Sequence, residues 1–415
     1  MSYATIEGAE VAEGDIRSAA REWISTNWAP SLSLGEWWRR LGESGWAFPD
    51  FPVKWYGRGL TRASRRIVRE ELDRVGAFGP PHGIATMMVA PLLVELGTDD
   101  QRRRWLPGIV TGTEIWCQLF SEPGAGSDLA GLRTRAVRDG EIWRVDGQKV
   151  WTSGGHYARW AILVARTDGS VPKHHGLSFF GIDMTQPGVT PRPLVQMNGS
   201  AEFNEVFLDN ALVPDHNLIG ELGQGWGVAM RTLGYERESL DTDAEPGIQT
   251  DLDLSRLAGE YASGQIPDGS EGFMPRGPEA WELLLDIIDA AGCRHDAVVR
   301  DQAARIYSSI KVASWMSRRF AAAANAGAEV SLGKLIATQL MRDWRNLALR
   351  CLGPAGQLLG EDGIFDGLPA QIALSVPGLS IAGGTDEIQR NIVGERVLGL
   401  PREPRHDTDR PFHEL

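Results

Sequence analysis

Apolar and polar positions along this chain change their period twice. Residues 1–112 carry apolar side chains at helical spacing over 13–28, 35–46, 61–76 and 81–97, parted by Gly/Pro-containing connections. Thr98-Asp-Asp-Gln101, ahead of Arg102-Arg-Arg-Trp105-Leu106, has the spacing of a capping box at a helix start. Residues 113–220 read differently. Glu114–Phe120, Trp143–Asp146, Trp160–Arg166 and Leu177–Asp183 are strand-length and apolar or β-branched, with Gly, Asp, Asn and Pro between them, which predicts a small antiparallel β-domain. Over 221–415 the helical period returns, at 280–291, 297–324 and 331–353. The predicted fold class is α+β: an N-terminal helical domain, a middle antiparallel β-domain and a C-terminal helical bundle. Residues 241–278 interrupt the bundle with an acidic, Gly- and Pro-rich stretch, expected to form a lid or a surface insertion.

One helix contains an anomaly. In Gly225–Leu240, the side chains of Trp226, Ala229, Met230, Leu233 and Leu240 share an apolar face, and Glu236 falls on that face. A carboxylate turned toward an apolar interior is costly unless paired or protonated, and its pKa should rise. A raised carboxylate suits a general base. On the helix alone, an ion pair with Arg231 or Arg237 is the simpler explanation.

Composition narrows the partners. With 415 residues, 42% hydrophobic and 23% charged, the chain is an ordinary globular protein with room for two or three structural units. Lys+Arg number 42 against 55 Asp+Glu, a formal net charge of -13, which argues against nonspecific nucleic-acid binding. A local Arg cluster or a helix N-terminus can still serve an anionic ligand. The 15 tryptophans point to large packed helix interfaces. Cys117, Cys293 and Cys351 have neither disulfide nor zinc spacing and are expected to be reduced thiols; His174-His175 is expected at the surface. The N-terminal residues lack a basic-then-apolar leader and no segment is apolar enough to span a bilayer, so a cytoplasmic location is expected.

Two cofactor signatures fail. No Gly-x-Gly-x-x-Gly joins a strand to a helix, and the Gly327–Lys334 stretch has the wrong spacing for a phosphate loop. Two other segments are more specific. In Cys117–Ala130, strand residues run into Ser121-Glu122-Pro123 and a Gly-Ala-Gly turn presenting Ser127 and Asp128, whose backbone N–H groups and hydroxyl suit a phosphate or flavin edge. In Gly147–Gly155, Trp151 is suited to cover a planar cofactor and Ser153 to supply a hydrogen bond. Either alone is equally a turn beside a core Trp.

Together with Phe203-Asn-Glu-Val-Phe207 and Ile381–Arg396, these segments resemble the acyl-CoA dehydrogenase family, most closely its actinobacterial branch of fatty-acid and steroid side-chain degradation. The resemblance implies noncovalent FAD and oxidation of an acyl-CoA to the trans-2-enoyl-CoA. Gln118, Phe120 and Ser121 would line the flavin, Ser127 would meet the cofactor phosphates or the CoA arm, and Trp151 and Ser153 would lie against the isoalloxazine. Thr385 and Glu387 hold C-terminal positions that reach FAD. Arg350, with Gly353 in the Gly-rich turn after it, would neutralise the FAD pyrophosphate or form an interface salt bridge. Family members are tetramers with FAD across a subunit interface, and an electron-transfer flavoprotein is the implied acceptor.

Many members carry the base in a loop reading Tyr-Glu-Gly-Thr. Here that loop reads Ala382-Gly383-Gly384-Thr385, without the glutamate. Relatives that place the base on a helix just before an Arg match Leu233-Gly-Tyr-Glu236-Arg237. The resemblance therefore implies Glu236 as base, the Gly383 N–H as an oxyanion donor and Arg237 near a CoA phosphate. Leu233 and Gly234 replace a common Phe and Asp, which implies a wider pocket or altered pantetheine contacts. No Arg-x-Phe contact to FAD is evident near 280–302. The alternatives are a desulfinase or monooxygenase on the same scaffold, or a non-catalytic partner subunit of a heterotetramer.

Overall fold

In the computed structural model, residues 12–240, 251–264, 277–322, 328–404, 407 and 409–415 are described. Helices α1 (Glu13–Asn27), α2 (Leu34–Glu43) and α3 (Ser64–Arg74) enclose a core containing Trp37 and Trp38. Burying an indole requires a partner for its N–H. Trp37 donates to the Phe78 carbonyl at 2.7 Å and Trp38 to that of Gly79 at 2.8 Å. A π-helical turn, Ala85–Val89, leads into α4 (Ala90–Leu96). The capping box is present: the Thr98 hydroxyl accepts from the Gln101 N–H at 3.2 Å, the Gln101 amide accepts from the Thr98 N–H at 3.0 Å, and α5 (Asp99–Val110) follows.

A seven-stranded sheet comes next: β1 (Trp116–Leu119), β2 (Arg135–Asp139), β3 (Ile142–Ser153), β4 (Trp160–Arg166), β5 (Leu177–Asp183), β6 (Val189–Pro193) and β7 (Phe203–Pro214). Most pairs are antiparallel as predicted, but β1 runs parallel to β4, Trp116 opposite Trp160, and β2 meets β4 in parallel at one pair. The apolar run of β4 has a physical reason. Its Ile162 and Val164 point into the helical core, while Ala161, Leu163 and Ala165 point into a second core within the β-domain. A strand buried on both faces is apolar at every position.

Helix α6 (Gly225–Leu240) leaves the sheet beside β5, where the Gly223 N–H donates to Ser178 Oγ at 3.0 Å. A Cβ at Gly225 would stand 2.5 Å from the Ser178 backbone, so only glycine permits this approach. Of the expected lid or insertion, residues 251–264 are seated on the start of α2. Leu34 N–H donates to the Arg256 carbonyl at 2.7 Å and Gly35 N–H to that of Leu254 at 2.9 Å, while α7 (Ala258–Ala262) buries Tyr261. Residues 241–250 and 265–276 lie outside the described residues.

The remaining helices, α8 (Gly277–Ala290), α9 (Ala297–Ala322), α10 (Ser331–Leu352), α11 (Leu368–Leu379) and α12 (Asp386–Ile392), have their own core around Leu284, Ile287, Trp344 and Val376. Among the described residues no helix is long and apolar enough to cross a membrane, and no group of three or more His, Cys, Asp or Glu side chains is placed to hold a metal ion.

Glu71, on α3, is the most heavily paired buried carboxylate of the N-terminal helices. It meets Arg17 at 3.0 Å, Arg21 at 2.9 Å and Arg74 at 2.9 Å. Hydrogen bonding to Arg21, ahead of the other arginines and against the cost of burial, holds its carboxyl down at about 2. Glu71→Gln is expected to cost about 2 kcal/mol at neutral pH, the outer faces of the arginines remaining in water. A carboxyl depressed by folding stabilises above its unfolded value, so the deficit should be full above pH 4.5 and should close as the pH falls toward about 2. Thermal melts of both proteins across that range check this.

Candidate active site

The two motif segments of the β-domain meet through a lysine. β1 ends at Leu119, Phe120 packs edge-on to Phe179 with ring centres 5.7 Å apart, and the chain turns at Glu122–Ala125. The fully buried Lys149 donates to the Phe120 carbonyl at 3.0 Å and to Glu122 Oε1 at 2.9 Å. Glu122 also accepts the backbone N–H groups of Arg133 at 2.6 Å and Thr134 at 2.8 Å. Next along the strand, Val150 N–H donates to the Ser121 carbonyl at 2.9 Å. Burial pulls the Lys149 ammonium down to about 8 although Glu122 opposes it. Burial pushes the Glu122 carboxyl up, but the Lys149 charge and the hydrogen bonds from Thr134 and the Arg133 N–H outweigh it and leave it below the usual range.

Just beyond Lys149 the ladder of β3 with β7 slips between Lys149 and Thr152. A bulge of this kind re-aims a side chain. Trp151 sits there at φ +61 and is 60% exposed, touching Phe203 edge-on at 6.0 Å. Left-handed backbone at a tryptophan is strained, and the strain presents a large flat ring to the outside instead of to the core. Ser153 is half-buried at the end of β3, and Gln118 is half-buried in β1. Ser127 is exposed on the turn after Ala125, and its neighbour Asp128 is gripped by Lys173 at 2.9 Å from both carboxylate oxygens.

On α6, Val228 and Ala229 are buried, and Trp226, Met230, Leu233 and Tyr235 pack against the same core. Glu236 is half-buried. Arg231 is held at 2.8 Å by Glu95 of α4, which also accepts from the Tyr235 hydroxyl. The side chains of Arg237 and Leu240 lie outside the described residues.

The 381–385 loop belongs to the C-terminal helices. Gly383 and Gly384 have φ +63 and +83, and a Cβ on Gly383 would meet nothing within 4 Å. The Gly383 carbonyl accepts from Gln389 at 2.7 Å, and the Thr385 hydroxyl caps α12 through the Ile388 N–H at 3.2 Å. Asp386 is buried against Lys334 at 2.6 Å and Arg342, and Arg342 also donates to Ser380 Oγ at 2.6 Å, tying the two ends of the loop together. Glu387 is exposed. Arg350 and Gly353 lie elsewhere, at the last turn and cap of α10, with Gly353 at φ +54. By the rise of a helix, Arg350 stands about 24 Å along α10 from Lys334. One chain thus separates these two from the loop of Gly383 and Thr385.

Sequence reasoning missed Lys149, Glu122, Lys173 and Gln389. For Lys149 a signal existed. It continues the alternation of Trp143, Val145 and Gly147, so its side chain was due to point inward. For Gln389 and Lys173 no local pattern announces a distant partner.

A helical domain, a central sheet and a second helical bundle follow one another along the chain, in the order predicted from its periodicity. The sequence matches three family models: acyl-CoA dehydrogenase N-terminal domain over 7–113, middle domain over 117–211 and C-terminal domain over 291–398. This chain belongs to the acyl-CoA dehydrogenase family, oxidoreductases acting on CH–CH bonds. It is 36% identical over 414 residues to acyl-CoA dehydrogenase IpdE1 of Mycobacterium tuberculosis, covering 94% of this chain and 98% of that one. It is 35% identical to acyl-CoA dehydrogenase FadE34 of the same organism, covering 87% of this chain and 46% of that longer protein. Among solved structures it resembles the Tcur3481–Tcur3483 steroid ACAD, with a TM-score of 0.69, 25% identity, and coverage of 94% of this chain and 98% of that one. It also resembles the ChsE4–ChsE5 complex from Mycobacterium tuberculosis, with a TM-score of 0.68, 27% identity, and coverage of 96% of this chain and 100% of that one.

Removing Lys149 leaves a buried carboxylate without its counter-charge. Lys149→Met is expected to cost about 3 kcal/mol in denaturant unfolding, and adding Glu122→Gln should recover part of that loss. Equal stability of Lys149→Met and wild type would show that the pair does not hold the turn.

Proposed function

We propose that this protein dehydrogenates an acyl-CoA thioester between its α and β carbons, giving the trans-2-enoyl-CoA, with FAD as cofactor and Glu236 as base. One observation carries the reading. The loop position that bears the base in many relatives is a glycine with open space beyond its Cα, while Glu236 stands half-buried on α6. The exposed Trp151 ring, Ser153, and the backbone of Gln118, Phe120 and Ser121 suit a flat, polar-edged cofactor. FAD, when bound, supplies the acceptor for the β-hydrogen. The chain itself does the rest. Glu236 takes the α-proton, and the Gly383 N–H, which donates to no group among the described residues, receives the charge developing on the thioester oxygen. Ser127 and Arg237 hold the CoA arm, while Thr385, Glu387, Arg350 and Gly353 complete the FAD contacts.

Because Arg350 and the Gly383 loop lie at opposite ends of α10, the reading places the cofactor across subunits of a tetramer. Exposed Tyr307, Val312 and Trp315 on α9, and Leu358, Leu359 and Ile381, supply apolar surface for that assembly. The two-name complexes among the structural neighbours favour a paralogous partner, and an electron-transfer flavoprotein is the proposed acceptor. The steroid ACAD among the structural neighbours favours a bulky acyl group such as a steroid side chain.

Anaerobic mixing with straight-chain, branched and steroid acyl-CoAs tests the reading. At least one should bleach the flavin, and Glu236→Gln should slow bleaching by at least about a thousandfold, the order of a lost general base with its charge. Undiminished bleaching in Glu236→Gln removes the base assignment. Tightly bound flavin that no acyl-CoA bleaches favours a partner subunit or a different chemistry.

A further inference from the structure

The C-terminal family match stops at residue 398, yet the end of the chain is built into the β-domain. Pro411 bridges to Pro172, Phe412 N–H donates to the Val171 carbonyl at 3.0 Å, and His413 N–H donates to that of Gly169 at 3.0 Å. These contacts seat the Phe412 ring 3.4 Å from the Arg166 guanidinium. Arg166 is buried, burial pulls it down to about 10, and among the described residues no carboxylate pairs with it. An aromatic face is a suitable cover for such a cation.

Arg166 donates to three backbone carbonyls: Ala130 at 2.6 Å and Leu132 at 3.2 Å in one segment, and Lys173 at 3.1 Å in another. Ala130 and Leu132 close the turn that presents Ser127 and Asp128. Lys173 holds the front of that turn, 2.9 Å from both Asp128 oxygens, and pairs with Asp407 at 2.6 Å. Two buried cations therefore grip the turn from two sides, and the chain end touches both. The adjoining His174 ring packs on Trp226 at the start of α6, 4.7 Å between centres.

We propose that the chain end, Asp407 with residues 409–415, is a positioning strap for the Ser127–Asp128 turn and sets how tightly the CoA arm of the substrate is held. The ligand in this proposal rests on the acyl-CoA reading above; the strap does not. Phe412 is a positioning residue. It meets Arg166, and Arg166 meets the turn.

The test uses the full-length, FAD-loaded protein with Phe412→Ala and the conservative Phe412→Tyr. Amide hydrogen exchange over residues 124–132 without ligand should quicken in Phe412→Ala and stay as wild type in Phe412→Tyr. The KM for the acyl-CoA that bleaches the flavin, and the Kd for coenzyme A alone, should rise about tenfold in Phe412→Ala with kcat within about twofold, and Phe412→Tyr should restore both. Should Phe412→Ala fail to fold, Lys173→Gln, which keeps Phe412, takes the same measurements with the same expectations. Unaltered exchange in the turn, an unaltered KM, or a fall in kcat at constant KM overturns the strap. Wild-type protein that binds no coenzyme A overturns the acyl-CoA reading instead, and the exchange result still decides the strap.

Discussion

A charge taken out of water has to be answered at once, and the Lys149–Glu122 pair answers for both of its members. Glu122 receives two backbone N–H groups besides the ammonium, and Lys149 receives the Phe120 carbonyl besides the carboxylate. Each bond that offsets desolvation also fixes a piece of backbone. The end of β1, the turn after it and the inner part of β3 are therefore locked to a single point. What the neighbouring strand presents outward follows from that lock, for Val150 pairs with Ser121 and the next residue is Trp151. An apolar pair at these positions would fill the same space without dictating where the Phe120 carbonyl lies.

The same logic recurs at lower cost around the Gly383 loop. Asp386 is answered by Lys334 and Arg342, and Arg342 reaches back to Ser380. A loop with two consecutive left-handed glycines gains much chain entropy when released, so fastening its ends is what keeps it in one conformation. Glu236 is placed differently, by burial of Val228 and Ala229 below it and by the Glu95 contacts of Arg231 and Tyr235 beside it. Rigid helix packing locates one group and a tied loop presents the other.

Local rules were legible where one face of an element meets one core. The capping box at Thr98, the bounds of β4 and β5, and the apolar face of α6 follow from periodicity and side-chain chemistry alone. Pairing was less so. Nothing within Trp116–Leu119 tells that it lies parallel to β4, since that choice depends on the path of the intervening chain. Residues 251–264 dock through backbone hydrogen bonds to residues near 30–35, and backbone donors leave no mark in sequence. Within the proposed site, Glu236 stood out because it broke a pattern, and Gly383 because it lacked a carboxyl. Trp151 reads equally as a cover for a planar group or as a core residue, and the slipped register turns it outward. Lys173, Gln389 and the chain end act across long sequence separations and carry no local signature.

Helix α10 acts as a ruler inside the chain. One end seats the Gly383 loop through Lys334, and the other carries Arg350 and Gly353. On the proposed reading, each catalytic centre draws one end from one subunit and the other end from its neighbour. Inheritance can then be divided. A duplicated gene is free to lose the chemistry of one end while keeping the other, and the two descendants remain useful only together. Two subunits, each damaged at a different end of α10, would rebuild some intact centres on mixing, whereas two damaged at the same end would rebuild none.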